Sequence, residues 1–267
     1  MHLLRCYEYF RIKKFVLETL PMNIDVIHDH THNLVIGHEH LDVPTISTIH
    51  TESSLNIPVK FPLYVSKTKL LQSTNSHNGA YVHNGIDLEA YTYSKKKEEF
   101  LLYLGRIALR KGVEDVISLG KRTGIRTIIA GPVWNKNFFK RIYPIIERTP
   151  NITYVGEVHG EEKQALISRA KWLVFPNGSH EQFGIVIVEA LACGTPIAVY
   201  NRGAVPEVLK GLPMFVCENL EHMERLVTND SPVHPKHLRK YVAKKFTTEK
   251  MTNKYLKLYQ RAIDLCK

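Results

Sequence analysis

Cysteine is scarce. The four in 267 residues, Cys6, Cys193, Cys217 and Cys266, are widely spaced and form no C-x-x-C pair. That excludes a disulfide scaffold and a C-x-x-C redox or zinc motif, and it fits a reduced, intracellular protein. No run of 18 apolar residues occurs, so nothing reads as a membrane-spanning helix. The opening residues carry charge at Arg5 and Glu8, too early for a signal peptide. Without secretion, the glycosylation sequons at Asn151 and Asn177 carry no meaning. There is no repeat and no low-complexity tract. The expected location is cytoplasmic.

Acidic residues are also short, 26 against 36 Lys and Arg, for a net charge of +10. The excess is local. From Lys236 to Lys267 ten basic residues face two acids, Glu249 and Asp264. A basic tail, not a basic body, needs explaining. What remains is an ordinary globular composition, 44% hydrophobic and 23% charged, long enough for one large domain or two small ones.

Apolar spacing predicts a helix over Leu3 to Leu20. Short strands are predicted at Ile24–His28, Thr45–Ile49, Tyr64–Ser66 and Ala80–Val82. Tyr93 to Glu99, with three lysines in a row, reads as a solvated linker. Beyond it a regular alternation begins. Strands are expected at Phe100–Leu104, Thr127–Ala130, Ile152–Val155, Trp172–Phe175 and Ile197–Tyr200. Helices are expected at Gly112–Gly120, Phe138–Arg148, Glu161–Ala170 and Phe183–Cys193. Such alternation means an α/β fold: a parallel sheet with helices on both faces. Ligands in these sheets sit at the carboxyl ends of the strands. Gly105-Arg106, Gly131-Pro132, Gly156-Glu157 and Pro176 to Gln182 all fall at that edge.

Two glutamates, Glu181 and Glu189, lie eight apart, the first in a loop and the second inside an apolar helix, where a bare carboxylate is costly. Phe183-Gly184 opens that helix, whose N-terminus attracts anions. Arg106 and Lys111 follow another strand end. Two cations and a helix N-terminus suit a diphosphate. Taken singly, Arg106 reads as a surface ion pair, and the glutamates read equally as a capping pair. Their occurrence at successive strand ends of one sheet favours a site.

These stretches resemble the family-4 glycosyltransferases, retaining enzymes of the two-domain GT-B fold. The resemblance is carried by Leu104-Gly105-Arg106 with Arg110-Lys111-Gly112, by Ile129-Ala130-Gly131-Pro132, and by Val155-Gly156-Glu157-Val158. It is strongest from Pro176 to Leu209, with its E-x7-E run and Gly194-Thr195-Pro196. His83-Asn84-Gly85-Ile86-Asp87 looks like the inter-domain signature. The resemblance implies two Rossmann-like parallel-sheet domains facing a cleft. These would be a shortened N-terminal, acceptor-side domain at 1–92, a nucleotide-sugar domain at 98–246, and a last helix, 247–267, crossing back onto the first domain. It implies that Arg106 and Lys111 hold the donor diphosphate, with Gly105 and Gly131 at the same strand ends. Glu181, with the backbone of Phe183, Gly184 and Ile185, would hold the transferred sugar, Glu189 the ribose hydroxyls and Val158 the base. His50, in Ser47-Thr48-Ile49-His50, would contact the donor sugar. The implied reaction moves a hexose from a nucleotide-diphosphate sugar to an acceptor hydroxyl with retention. That acceptor is a glycan, a lipid-linked molecule or a protein. No cofactor and no metal are implied, which suits the absence of any Asp-x-Asp. Competing readings are a nucleotide-sugar epimerase of the same fold and a non-catalytic sugar-nucleotide-binding subunit that needs a partner.

Two features lie outside that pattern. His28, His30, His32, His38, His40 and His50 suggest either a metal site or a cleft loop near the acceptor. In the tail, Lys250, Lys254, Lys257 and Arg261 form one helical stripe and Met251, Tyr255, Leu258, Ala262 and Leu265 another. The apolar stripe is expected to pack internally. The basic one would suit an anionic membrane surface at the inner face, with peripheral attachment. Nucleic acid is not expected, since no aromatic-basic interleaving and no zinc motif occur.

Overall fold

The computed structural model describes residues 11, 13–21, 23–39, 41–51, 57–177 and 181–266. The chain divides into two compact units, one of Met1–His83 with Glu249–Lys267 and one of Asn84–Thr248.

The first unit holds a helix at 13–19 (α1), of which the predicted start at 3–10 lies outside the described residues. Four strands follow: β1 (Ile27–Asp29), β2 (Thr45–Ile49), β3 (Phe61–Tyr64) and β4 (Ala80–Tyr81), with α2 (Lys67–Gln72) between the last two. All pairs are parallel, in the order β1-β2-β3-β4. Successive side chains of a strand face opposite ways, so Ile46 and Ile49 serve different cores. Ile49 packs with Leu34, Val59 and Tyr64. Ile46 packs with Phe61, Leu63 and Val82 beneath the chain's last helix, Thr248–Asp264. That helix contributes Met251, Tyr255, Leu258, Tyr259 and the buried Ala262. Leu265, expected on its apolar stripe, is instead exposed, while the basic stripe faces solvent as expected.

The second unit alternates as its sequence predicts. In chain order it holds β5 (Glu98–Leu104), α3 (Val113–Thr123), β6 (Arg126–Ala130), α4 (Lys136–Glu147), β7 (Ile152–Tyr154), α5 (Gly160–Arg169) and β8 (Ala170–Phe175). Then come α6 (Ile185–Ala192), β9 (Ile197–Tyr200), α7 (Val205–Val208), β10 (Val216–Cys217), α8 (Leu220–Val227) and α9 (Pro235–Lys245). The sheet is parallel throughout, in the order β10-β9-β8-β5-β6-β7. Strand order reverses between β5 and β8, and the crevice at that switch point is where such sheets bind ligands. β5 and β8 are apolar along most of their length because helices cover both faces. Apart from Glu189, α6 is apolar all round, and it is buried except at Ile185, so it forms the centre of one covering layer.

The domain boundary differs from the expected linker at Tyr93–Glu99. The chain passes between units at His83–Asn84 and returns at Thr248–Glu249. The two passages are stitched side by side, with Ile86 N–H donating to Phe246 O (2.9 Å) and Thr248 N–H to Ile86 O (3.0 Å). Residues 88–97 belong to the second unit because its polar groups hold them. Arg239 donates to Tyr91 O (2.8 Å) and Leu88 O (2.9 Å). Lys97 is drawn inside, donating to Ser168 O (2.7 Å) and Thr195 Oγ1 (2.8 Å).

Candidate functional site

The strand ends of the second unit are held together by backbone. Gly105 N–H donates to Ala130 O (3.0 Å), and Gly131 N–H to Gly156 O (2.7 Å). Gly131 has φ +140°, and a Cβ there would lie 2.0 Å from Gly105 O, so only glycine allows the two loops to touch. Gly112, at φ +76°, is pressed as closely on Pro176 O, 1.9 Å from where a Cβ would stand. This contact fixes the start of α3 against the loop that carries Glu181.

Above these loops lies a cavity of about 370 Å³ at the switch point. Gly105, Arg106 and Lys111 line it from β5, Gly131 from β6 and Val158 from β7. Glu181, Gly184, Ile185 and Glu189 line it from the β8 side. Gly184, in a left-handed conformation at φ +83°, turns the chain into α6, so the helix starts at Ile185 and not at Phe183. Phe183 itself is buried, its ring edge-on to Phe246 at 5.7 Å, and it offers the cavity no side chain. His50 belongs to the other unit, where its Nε2 lies 2.9 Å from His30 Nδ1.

The charges alternate. Lys111 Nζ lies 3.4 Å from Glu181 Oε2, which also accepts from Asn177 Nδ2 at 3.3 Å. Ala204 N–H donates to Glu181 O (2.9 Å), which anchors the loop. Arg106 lies over the exposed indole of Trp134, 5.0 Å from the ring centre. Tyr103 donates its hydroxyl proton between Arg106 O and Lys111 O, both 3.1 Å away, and so holds the loop joining the two cations. Burial keeps that phenol well above its ordinary pKa, a neutral donor.

Glu189 is buried, as its place in an apolar helix predicts, and it is not bare. Its Oε1 accepts from Lys163 Nζ and from the Tyr91 hydroxyl, both at 2.7 Å. Burial, and then Glu189 itself, raises the Tyr91 phenol far above its usual range. Neither partner has a spacing that announces it. Lys163 sits in a charged helix start, and Tyr91 just before the supposed linker. Asn177, four residues ahead of Glu181, was within reach of sequence reasoning.

Of the histidines named above, His28, His30 and His50 satisfy one another and their neighbours, and His40 lies outside the described residues. His28 Nδ1 meets the Tyr259 hydroxyl and its Nε2 meets Thr48 Oγ1, each at 2.6 Å. Among the described residues no group of three or more His, Cys, Asp or Glu is arranged to hold a metal.

Residues 88–226, just over half the chain, match the family described as glycosyl transferases, group 1. The chain belongs to this family. Among its curated relatives is an uncharacterised glycosyltransferase of Methanocaldococcus jannaschii, 29% identical over 117 residues, which are 42% of this chain and 30% of the relative. Another is the glycogen synthase of Mycobacterium tuberculosis, 27% identical over 227 residues, 69% of this chain and 54% of the relative. The chain thus spans between about a third and about half of the relatives it matches. The solved structure of AviGT4, a glycosyltransferase involved in avilamycin A biosynthesis, superposes with TM-score 0.77 at 21% identity over 96% of this chain and 78% of its own. Anabaena HepE in complex with UDP and glucose gives TM-score 0.80 at 14% identity over 95% and 81%. The fold is GT-B, with two Rossmann-like parallel-sheet units.

Proposed function

We propose that this group 1 transferase is a retaining, family-4-type enzyme that moves a hexose from a nucleotide-diphosphate sugar to an acceptor hydroxyl. One observation carries the reading: two cations, a helix N-terminus and both carboxylates of the E-x7-E run converge on one cavity at the sheet's switch point.

Arg106, Lys111 and the N-terminus of α6 meet the diphosphate and stabilise the charge it gains as the glycosidic C–O bond breaks, with no metal required. The departing bond pair stays on the diphosphate oxygen. The acceptor oxygen forms the new bond to the anomeric carbon on the same face, and its proton leaves to the departing phosphate, so no protein nucleophile is needed. Glu181 accepts from hydroxyls of the transferred sugar beside the α6 backbone, and Lys111 and Asn177 aim its carboxylate. Glu189, held by Lys163 and Tyr91, accepts from the ribose hydroxyls. Val158 lies at the base. The exposed Lys250, Lys254, Lys257 and Arg261 suit an anionic membrane surface carrying a lipid-linked acceptor, at the cytoplasmic face.

The test is a panel of nucleotide sugars, read by thermal shift and by release of nucleoside diphosphate without acceptor. One donor should stabilise the protein and be slowly hydrolysed. Glu181→Ala should keep the stabilisation and lose the release. Unchanged turnover in that variant would remove Glu181 from the sugar site, and no stabilisation by any donor would remove the reading itself.

A further inference from the structure

Resting on the assignment of the cavity to a nucleotide sugar, we propose that the donor's base is guanine and that the Glu157 carboxylate reads it. The position follows from the sheet. Arg106 and Lys111 follow β5, and Glu181 follows β8, its central neighbour. The Glu157–His159 loop follows β7, the edge strand two places from β5, about 10 Å away at ordinary strand spacing. A diphosphate and a ribose bridge a gap of that order. Phosphates on the two cations therefore set the base beside this loop.

The walls at that end are Val158, which is buried, and Pro132 from the adjoining loop, surfaces suited to the flat faces of a base. Its polar side chains among the described residues are Glu157 and His159. Lys163 is engaged with Glu189, and Tyr154 donates its hydroxyl to Gly131 O at 2.8 Å. Glu157 is half-exposed, and His159 Nε2 stands 3.6 Å from its Oε1, beyond hydrogen-bond length. Both carboxylate oxygens are thus available at the mouth of the base end.

An ionised carboxylate accepts and never donates. Guanine presents two donors side by side, N1–H and the 2-amino group, and pairs with both oxygens at once. Uracil sets its one N–H between two carbonyls. Adenine and cytosine each set an acceptor nitrogen beside their amino group. Those bases leave one oxygen facing a lone pair, and a site built for two donors rejects them.

The experiment is calorimetric titration of the whole chain with GDP, IDP, UDP and ADP. IDP keeps N1–H and lacks only the 2-amino group. GDP should bind about tenfold or more tighter than IDP, and tighter again than UDP or ADP. In Glu157→Gln, GDP should weaken about tenfold while the GDP-to-IDP ratio falls toward one. The exposed position lets that variant fold, and a melting curve checks it. UDP or ADP binding more tightly than GDP overturns the inference, as does an equal loss for all four diphosphates in Glu157→Gln. Arg106→Ala separates the two levels, since it should weaken all four alike. If no diphosphate binds the wild type, or Arg106→Ala changes nothing, the donor reading fails and the base assignment falls with it.

Discussion

Lys163→Met removes the counter-charge of a carboxylate that is 6% exposed inside an apolar helix. Glu189 then keeps one hydrogen bond, from Tyr91. Breaking a buried ion pair from one side costs about 3–5 kcal/mol. The Lys163 side chain is 30% exposed, so cavity water screens part of that, and about 1–2 kcal/mol is expected. For a unit of this size that lowers Tm by roughly 3–6 °C. Glu189→Gln removes the charge instead of its partner. Placed on the Lys163→Met background it should restore most of the loss, because no ion is then left buried alone. Thermal denaturation of the four proteins at pH 7 gives the coupling energy, expected at about 1 kcal/mol or more. Additive effects would refute the argument that the pair exists to neutralise a buried charge. Both Glu189→Gln proteins should still lose donor affinity, since the carboxylate itself is what the ribose needs.

Three further outcomes are expected. Burial, then the charges of His30 and His50, and against the pull of Asp29, hold His28 down to about 4 from 6.5. The unfolded chain therefore binds more protons between those values. The neutral ring's contribution is complete above about pH 6.5 and is lost as pH falls toward 4. Denaturant titrations at several pH values should show that slope, and His28→Gln should flatten it; an unchanged slope would refute the assignment. Lys97→Met strands Ser168 O in the interior, while Cys193 O keeps the N–H of Ser94, and should cost about 1–3 kcal/mol in a denaturant melt, against a neutral result if that carbonyl finds another donor. Trp134→Ala removes the face on which Arg106 rests and should raise donor KM about two- to fivefold, while Trp134→Phe keeps most of the affinity. Equal effects of the two substitutions would show that the ring face plays no part.

The second unit was legible because its central strands are continuous apolar runs punctuated by Gly and Pro. β9 falls where the sequence places it, and β6 and β7 fall within a residue of their predicted ends. The first unit was harder. β3 was expected at Tyr64–Ser66 and runs Phe61–Tyr64, since Pro62 within it argues locally against a strand and Ser66 caps α2 instead. β1 runs Ile27–Asp29, later than expected, because Asp29 closes it by accepting from the N–H groups of Thr31, Ile36 and Gly37. In the cavity, residues tied to a loop motif could be named in advance. The partners that orient them could not. Lys163 reaches Glu189 from another helix, and Tyr91 reaches it from 98 positions away in the chain, with no local pattern to mark either. The lysine-rich run at Tyr93–Glu99 misled because composition alone does not reveal that Lys97 points inward to carbonyls.

The most direct measurement compares GDP and UDP with guanosine and uridine on the wild type and on the Arg106→Ala/Lys111→Ala protein. Each diphosphate that binds the wild type should bind about tenfold to a hundredfold tighter than its nucleoside, since two cations contact the phosphates. In the double variant that advantage should vanish while nucleoside affinity stays unchanged. If the diphosphate advantage persists without Arg106 and Lys111, or nucleoside and diphosphate weaken together, the cavity does not hold a donor diphosphate as proposed.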